Sequence, residues 1–365
     1  MKQVIRSTIF LVVLFLVIGI VIVVELLDSK PSNKLAAIQE TTDSTWSPPS
    51  LYTDQITTGK ERSMIIYGED LIANTSKYLG PHGSVLQITN GMNCQNCHLD
   101  AGKRAWGNNY GAVYSTYPKF RGRSGSVENI YRRVNDCFER SLNGEALDTN
   151  SYEMQSIYAY IKWLGKDVPK GKKPYSAGLP QLTFLERAAD PEKGKIVYSN
   201  VCQSCHGQNG EGVLNPDGKT FSYPPLWGGN SYNDGAGSYR ITRFASFVKS
   251  NMPYNQASHA DPKLTDEEAW DVAAFVNSQP RPHKEQTSDW VDITKKSIDE
   301  PFGPYADGFS EIQHKYGPYN PIEQARKKLI QKYEGRQSKT TSTVDYERQF
   351  QKKFLTLFYI SRVRA

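Results

Sequence analysis

Two five-residue units constrain this chain more than any other feature: Cys94-Gln95-Asn96-Cys97-His98 and Cys202-Gln203-Ser204-Cys205-His206. Two thiols separated by two residues and followed at once by histidine form the attachment signal for c-type haem. The thiols make thioether bonds to the porphyrin, and the adjacent imidazole reaches the iron. A zinc pair or a disulfide would explain neither the histidine nor its recurrence. Cys94, Cys97, Cys202 and Cys205 are therefore read as attachment residues for two covalently bound haem c groups, with His98 and His206 as proximal ligands. The units stand about 108 residues apart, one small domain per haem.

The order of elements repeats around them. In each half a helical pattern leads into the haem unit (62–79 and 191–200), and a Gly- or Pro-rich loop follows. Two further helical patterns close each half, at 126–144 and 151–164 in the first and at 241–250 and 265–276 in the second. Thr265 and Glu268 have capping-box spacing at the start of the last helix. No strand-like alternation of any length appears in either half. The expected fold is all-α, two cytochrome c-type domains in tandem, preceded by an N-terminal transmembrane anchor or signal peptide. Residues 1–27 are read as that anchor or signal peptide, 28–58 as a linker and 59–168 as the first domain. Residues 169–189 form an interdomain linker and 190–280 the second domain, 281–321 an extended wrapping segment, and 322–365 a basic tail without a derivable role.

Lys2 and Arg6 precede an apolar run from Ile9 to Val24, close to the roughly 20 residues that span a bilayer. No small-residue cleavage site follows, so the reading favours an uncleaved anchor over a cleaved signal peptide. Positive charge ahead of the run leaves the rest of the chain outside the cytoplasmic membrane, in the periplasm. A net charge of +6 and the lack of a basic-aromatic motif exclude nucleic acid as a partner. A small anion or an acidic surface is the better use of a local basic patch.

A low-spin haem takes a sixth ligand. For the second haem the candidate is Met252, in Asn251-Met252-Pro253 ahead of the last helix of its half. Thioether ligation raises the potential. The first half has no such loop, and the soft ligand left over is Cys137, the fifth and unpaired cysteine. On a helix, Ile130, Val134, Cys137 and Phe138 share a face, and Arg133 and Ser141 lie one turn to either side of the thiol. A buried inert cysteine is the plain alternative. Against it stand Lys119, Arg121, Arg123, Arg132 and Arg133, since cations favour thiolate. One unit charge at about 4 Å is worth about 4 kcal/mol at an intermediate dielectric. His82, His259, His283 and His314 read as surface residues, with His82 the rival ligand for the first haem.

Cys94–Gly102, Tyr117–Gly125, Asn135–Gly144, Tyr223–Gly228 and Asn251-Met252-Pro253 together resemble the dihaem thiosulfate dehydrogenase / tetrathionate reductase family of periplasmic cytochromes c. The likeness runs from about Tyr67 to about Tyr319 and leaves out the N-terminal run and the basic tail. It implies that Cys137 ligates the first haem and faces the substrate, with Arg123, Arg133 and Ser141 as anion-binding residues and Met252 as ligand of the second haem. Some relatives carry a lysine directly before that methionine; Asn251 stands there, which implies plain His206/Met252 ligation. The implied activity interconverts thiosulfate and tetrathionate, with Cys137 as transient sulfur acceptor. Its redox partner would be a small cytochrome c or the quinol chain. The competing readings are a non-catalytic dihaem electron carrier, a dihaem peroxidase, and a sulfur-oxidising cytochrome acting on a carrier protein.

Overall fold

The computed structural model describes residues 46–51, 59–329 and 331, all within one contact unit, Thr42–Ala365. The anchor expected over 1–27, most of the linker and the tail beyond 331 lie outside these residues. Among the described residues no helix is long and apolar enough to cross a membrane.

Three long helices build the first half, with shorter turns of helix between them: α1 (Gly59–Ala73), α2 (Ile130–Arg140) and α3 (Tyr152–Leu164). Apolar residues at helical spacing bury one stripe of α1, Ile65, Leu71 and Ile72, against Ile157, Tyr160 and Ile161 of α3. The two backbones approach so closely that a Cβ on Gly68 would fall 2.1 Å from the Ser156 carbonyl oxygen. Ser151 caps α3 by accepting from the Met154 N–H. The second half uses the same crossing. Its helices are α4 (Pro191–Val197), α5 (Ile241–Asn251) and α6 (Asp266–Ser278), and α4 lies across α6. A Cβ on Gly194 would fall 1.9 Å from the Asp271 carbonyl oxygen. Asp190 caps α4, with Pro191 in its first turn, and Thr265 and Glu268 form the expected capping box on α6. After α4 the chain continues through a π-turn at Tyr198–Cys202 into Gln203–His206, so the second haem unit ends a continuous helix.

Two expectations are corrected. The pattern at 126–144 is not helical throughout, because Ser126–Glu128 forms a strand (β2) paired antiparallel with Lys119–Arg121 (β1). Asn129 then accepts from the Arg132 N–H and starts α2, which ends at Arg140 with Ser141 as its C-cap. The second half has its own hairpin, β3 (Val213–Leu214) with β4 (Phe221–Tyr223). Strands of two or three residues are too short to show alternation, and the fold remains helical in bulk.

The segment from 281 to 319 crosses both halves, and it contains a 3-10 turn at Ile293–Lys295 and helix α7 (Glu311–Tyr316). Trp290 N–H donates to the Arg123 carbonyl at 2.7 Å, and Asp289 pairs with Arg140 at 2.8 Å. Tyr319 and Ile322 are buried in the second core, Ile322 on a helix that covers 320–329. The core therefore runs past the position where the sequence suggests a separate tail. Trp46, in the stretch read as linker, donates to the Leu164 carbonyl at 3.2 Å.

Candidate active site

Both CxxCH units open on one cavity of about 1000 Å³ between the two halves. Cys94, Cys97, Cys202 and Cys205 lie on its wall, as do His98, His206, Cys137 and Met252. None of the five cysteines is paired in a disulfide. Burial pushes Cys94 and Cys202 up to about 12 and Cys97 to about 11, so these sulfurs sit in an apolar wall. The Ser238 hydroxyl, from the second half, lies 3.9 Å from Cys97 Sγ.

Each histidine is oriented by a backbone carbonyl. His98 Nδ1 donates to the Asn108 carbonyl at 2.6 Å, and His206 Nδ1 to the Pro224 carbonyl at 2.9 Å. A carbonyl only accepts, so the proton is on Nδ1 and the Nε2 lone pair is left for a metal. Burial lowers both imidazoles, His98 to about 4. Tyr110 stacks on the His98 ring at 4.5 Å. Among the described residues, Trp290 Nε1 and Arg140 Nε are buried donors without a hydrogen-bond partner. The donor set fits two haems.

Helix α2 brings Arg133, Cys137 and Ser141 to the cavity along one edge, and Ile130, Val134 and Phe138 line it beside them. Arg133 is pushed up from the ordinary guanidinium value, first by the Cys137 sulfur and against the opposing effect of burial. Arg123 also lines the cavity, but its charge is directed elsewhere. It lies 3.8 Å from Asp289 and 3.7 Å from Glu300 and donates to the Gly235 carbonyl at 2.6 Å. Six arginines line the cavity: 121, 123, 133, 140, 240 and 243. Four of them face carboxylates: Arg121 meets Glu128 at 3.9 Å, Arg123 and Arg140 meet Asp289, and Arg240 meets Asp299 at 2.7 Å. Among the described residues Arg133 and Arg243 have no such partner. Sequence reasoning missed Arg243, which lies in the second half, 106 positions from Cys137 in the chain (243 − 137), with no local signal to connect them.

Met252 follows the last residue of α5, and its loop is fastened to the first half. Asn251 Nδ2 reaches the Trp106 carbonyl, the Tyr254 hydroxyl donates to Asp100 at 2.7 Å, and Arg104 donates to Asn255 Oδ1 at 2.8 Å. Of the remaining histidines, His82 is exposed and not part of the cavity wall. His314, read from sequence as a surface residue, is fully buried; its ring donates to the Ile298 carbonyl and meets Asp307 at 2.9 Å.

Comparison with known proteins bears on the family of the chain. Residues 86–169 match the SoxA/TsdA cytochrome c domain, and residues 191–280 match cytochrome c. Thiosulfate dehydrogenase of Allochromatium vinosum is 41% identical over 207 residues, 55% of this chain and 74% of that protein. Thiosulfate dehydrogenase of Psychrobacter arcticus is 39% identical over 206 residues, and the chain spans 61% of its length. Among solved structures, the as-isolated form of thiosulfate dehydrogenase TsdBA from Marichromatium purpuratum superposes with a TM-score of 0.59 at 33% identity, over 66% of this chain and 50% of that one. Two cytochrome c domains, each with its attachment unit, carry two covalently bound haem c groups. The chain belongs to the thiosulfate dehydrogenase family of dihaem cytochromes c.

Proposed function

We propose that this chain interconverts thiosulfate and tetrathionate, joining two thiosulfates with release of two electrons or running the reverse. The observation that carries the reading is the placement of Cys137, between Arg133 and Ser141, on the cavity that both haem units share. When bound, the two haems supply iron centres that each accept or donate one electron.

In the oxidising direction a bond forms between Cys137 Sγ, as thiolate, and the outer sulfur of a first thiosulfate, and two electrons leave. The product is a singly charged S-thiosulfonate on Cys137. The outer sulfur of a second thiosulfate attacks the bound sulfane sulfur, the bond to Cys137 breaks, and tetrathionate leaves as the thiolate is restored. Arg133 and Ser141 hold the sulfonate of the adduct. Two dianions repel when brought together, and fixed cations lower that barrier without reorganising. Arg123 supports the site as an anion-binding residue, at longer range because Asp289 and Glu300 share its charge. With the haems bound, Met252 would be a ligand of the second haem, and Cys137 would be a ligand of the first between turnovers, its sulfur released to form the adduct.

Cys137→Gly in the holoprotein tests the reading, with turnover measured in both directions. A loss of at least about 100-fold, roughly 2.7 kcal/mol, is expected. Undiminished turnover would instead make the chain an electron carrier. The compartment and partner belong to the same proposal: the apolar run at 9–24 anchors the chain outside the cytoplasmic membrane, where a small cytochrome c or the quinol chain exchanges its electrons. Cell fractionation that leaves the protein in the cytoplasm would overturn that part.

A further inference from the structure

Tetrathionate carries a sulfonate at each end, so a site that makes or breaks it handles two anionic groups at once. Arg133 accounts for one, next to Cys137 on its own helix. The cavity holds a second free guanidinium, on the opposite module. Arg243 sits on α5 one turn before Phe247, and both line the cavity. Arg243 is exposed, and among the described residues its side chain has no hydrogen bond and no ion pair.

Arg243 is held in position from outside the site. Asp299 of the wrapping segment accepts from Arg240 Nε at 2.8 Å and from the Thr242 N–H at 3.2 Å, which pins the first turn of α5. A carboxylate at a helix N-terminus is itself favourable. With Arg240 neutralised by Asp299, Arg243 is the guanidinium of that turn left to face inward. Lys119, on β1 of the first module, lines the cavity too, with its ammonium 4.7 Å from the Tyr117 ring.

We propose that Arg243, backed by Lys119, forms a second sulfonate seat across the cavity from the Arg133 seat, and that it receives the thiosulfate that attacks the Cys137 adduct. In the reverse direction the same seat holds the far sulfonate of tetrathionate. The surroundings agree. Desolvation by the surrounding protein and then Arg240 lower Arg243, Asp299 opposes, and Arg133 and Arg121 add to the lowering; Lys119 is lowered by burial, Arg121, Arg133, Lys173 and Arg243. Cations gathered against their own repulsion are stabilised by an arriving anion. The seat rests on the thiosulfate–tetrathionate reading and adds to it a division of labour, one seat per module.

The test uses holoprotein carrying Arg243→Gln or Arg243→Lys, checked for wild-type haem content and unfolding midpoint. Haem reduction in a single turnover without electron acceptor reports the first thiosulfate; steady-state turnover and release of the Cys137 adduct, followed by mass spectrometry, report the second. For Arg243→Gln, the thiosulfate concentration needed to release the adduct should rise about 10-fold or more. Single-turnover reduction should stay within about twofold. Arg243→Lys should recover part of the loss. Equal slowing of both phases, or unchanged adduct release, would overturn the second seat. A shifted haem reduction potential with unchanged substrate dependence would overturn it as well, placing Arg243 on a haem acid group. Wild-type protein that turns over neither anion would remove the underlying function instead, so the two failures are distinguishable.

Discussion

Asn251 Nδ2 donates to the Trp106 carbonyl at 3.0 Å, so the residue before Met252 in the second module is fixed by a loop of the first. The same amide reaches the Phe247 carbonyl at 3.0 Å, and Asn251 is only 1% exposed. Asn251→Ala removes both bonds and leaves the Trp106 carbonyl without this donor. A loss of about 1–3 kcal/mol is expected in denaturant unfolding. Tyr254→Phe, which deletes the exposed bond to Asp100, should cost less than about 1 kcal/mol. Equal effects would mean that Asn251 is not the anchor of the loop.

Arg123 and Arg133 should separate stability from activity. Arg123 faces Asp289 and Glu300, so Arg123→Ala leaves two buried carboxylates short of a cation. It should destabilise the protein by about 2–3 kcal/mol. Among the described residues Arg133 makes no ion pair within 4 Å, only longer-range contact with Asp136 and Glu128, and Arg133→Ala should leave the unfolding midpoint near wild type while thiosulfate turnover falls sharply. The pair of midpoints and the pair of rates decide the matter together.

Two neighbouring carboxylates should give stability opposite slopes with pH. Arg240 and Thr242 hold Asp299 below the usual carboxylate range despite its burial. Its contribution is present above the unfolded value and lost as pH falls through the folded one. Burial raises Glu300, with Arg123 opposing, and one of its oxygens has no hydrogen-bond donor. The folded state then binds that proton more tightly, so stability declines as pH rises through the window above the unfolded glutamate value. Asp299→Asn should lower the melting temperature at neutral pH, whereas Glu300→Gln should raise it and flatten the profile in that window. Two losses of the same size at neutral pH would show that burial does not govern Glu300.

Gly68→Ala and Gly194→Ala should each cost more than about 3 kcal/mol, because the new methyl would meet a backbone carbonyl that cannot turn aside. Either substitution should also reduce haem incorporation in its own module. An unchanged unfolding midpoint would mean that the helix pair can part without loss.

Much of this was legible in the chain. The attachment units, the helix repeat and the Thr265–Glu268 cap are local patterns, and local patterns survive folding. Strands β1 and β2 were not legible, since three-residue strands gain their identity only from each other. Cys137, Arg133 and Ser141 were visible as one helical edge because 3.6-residue geometry connects them. Arg243 was not, because only tertiary packing sets it opposite that edge. The partition of arginines was hidden for the same reason. Asp289 and Glu300 meet Arg123 from more than 160 positions away in the chain (289 − 123 = 166), so its charge looks free in sequence and is shared in space.

The wrapping segment also bears on how the two modules are joined. All four attachment cysteines open on a cavity whose wall includes Trp290, Lys295 and Ser297. A segment distant in sequence from both attachment units thus closes one wall of the cavity they share, so the modules are joined through the pocket they both serve. The ion pairs of Asp289 with Arg140 and of Asp299 with Arg240 hold that wall in place.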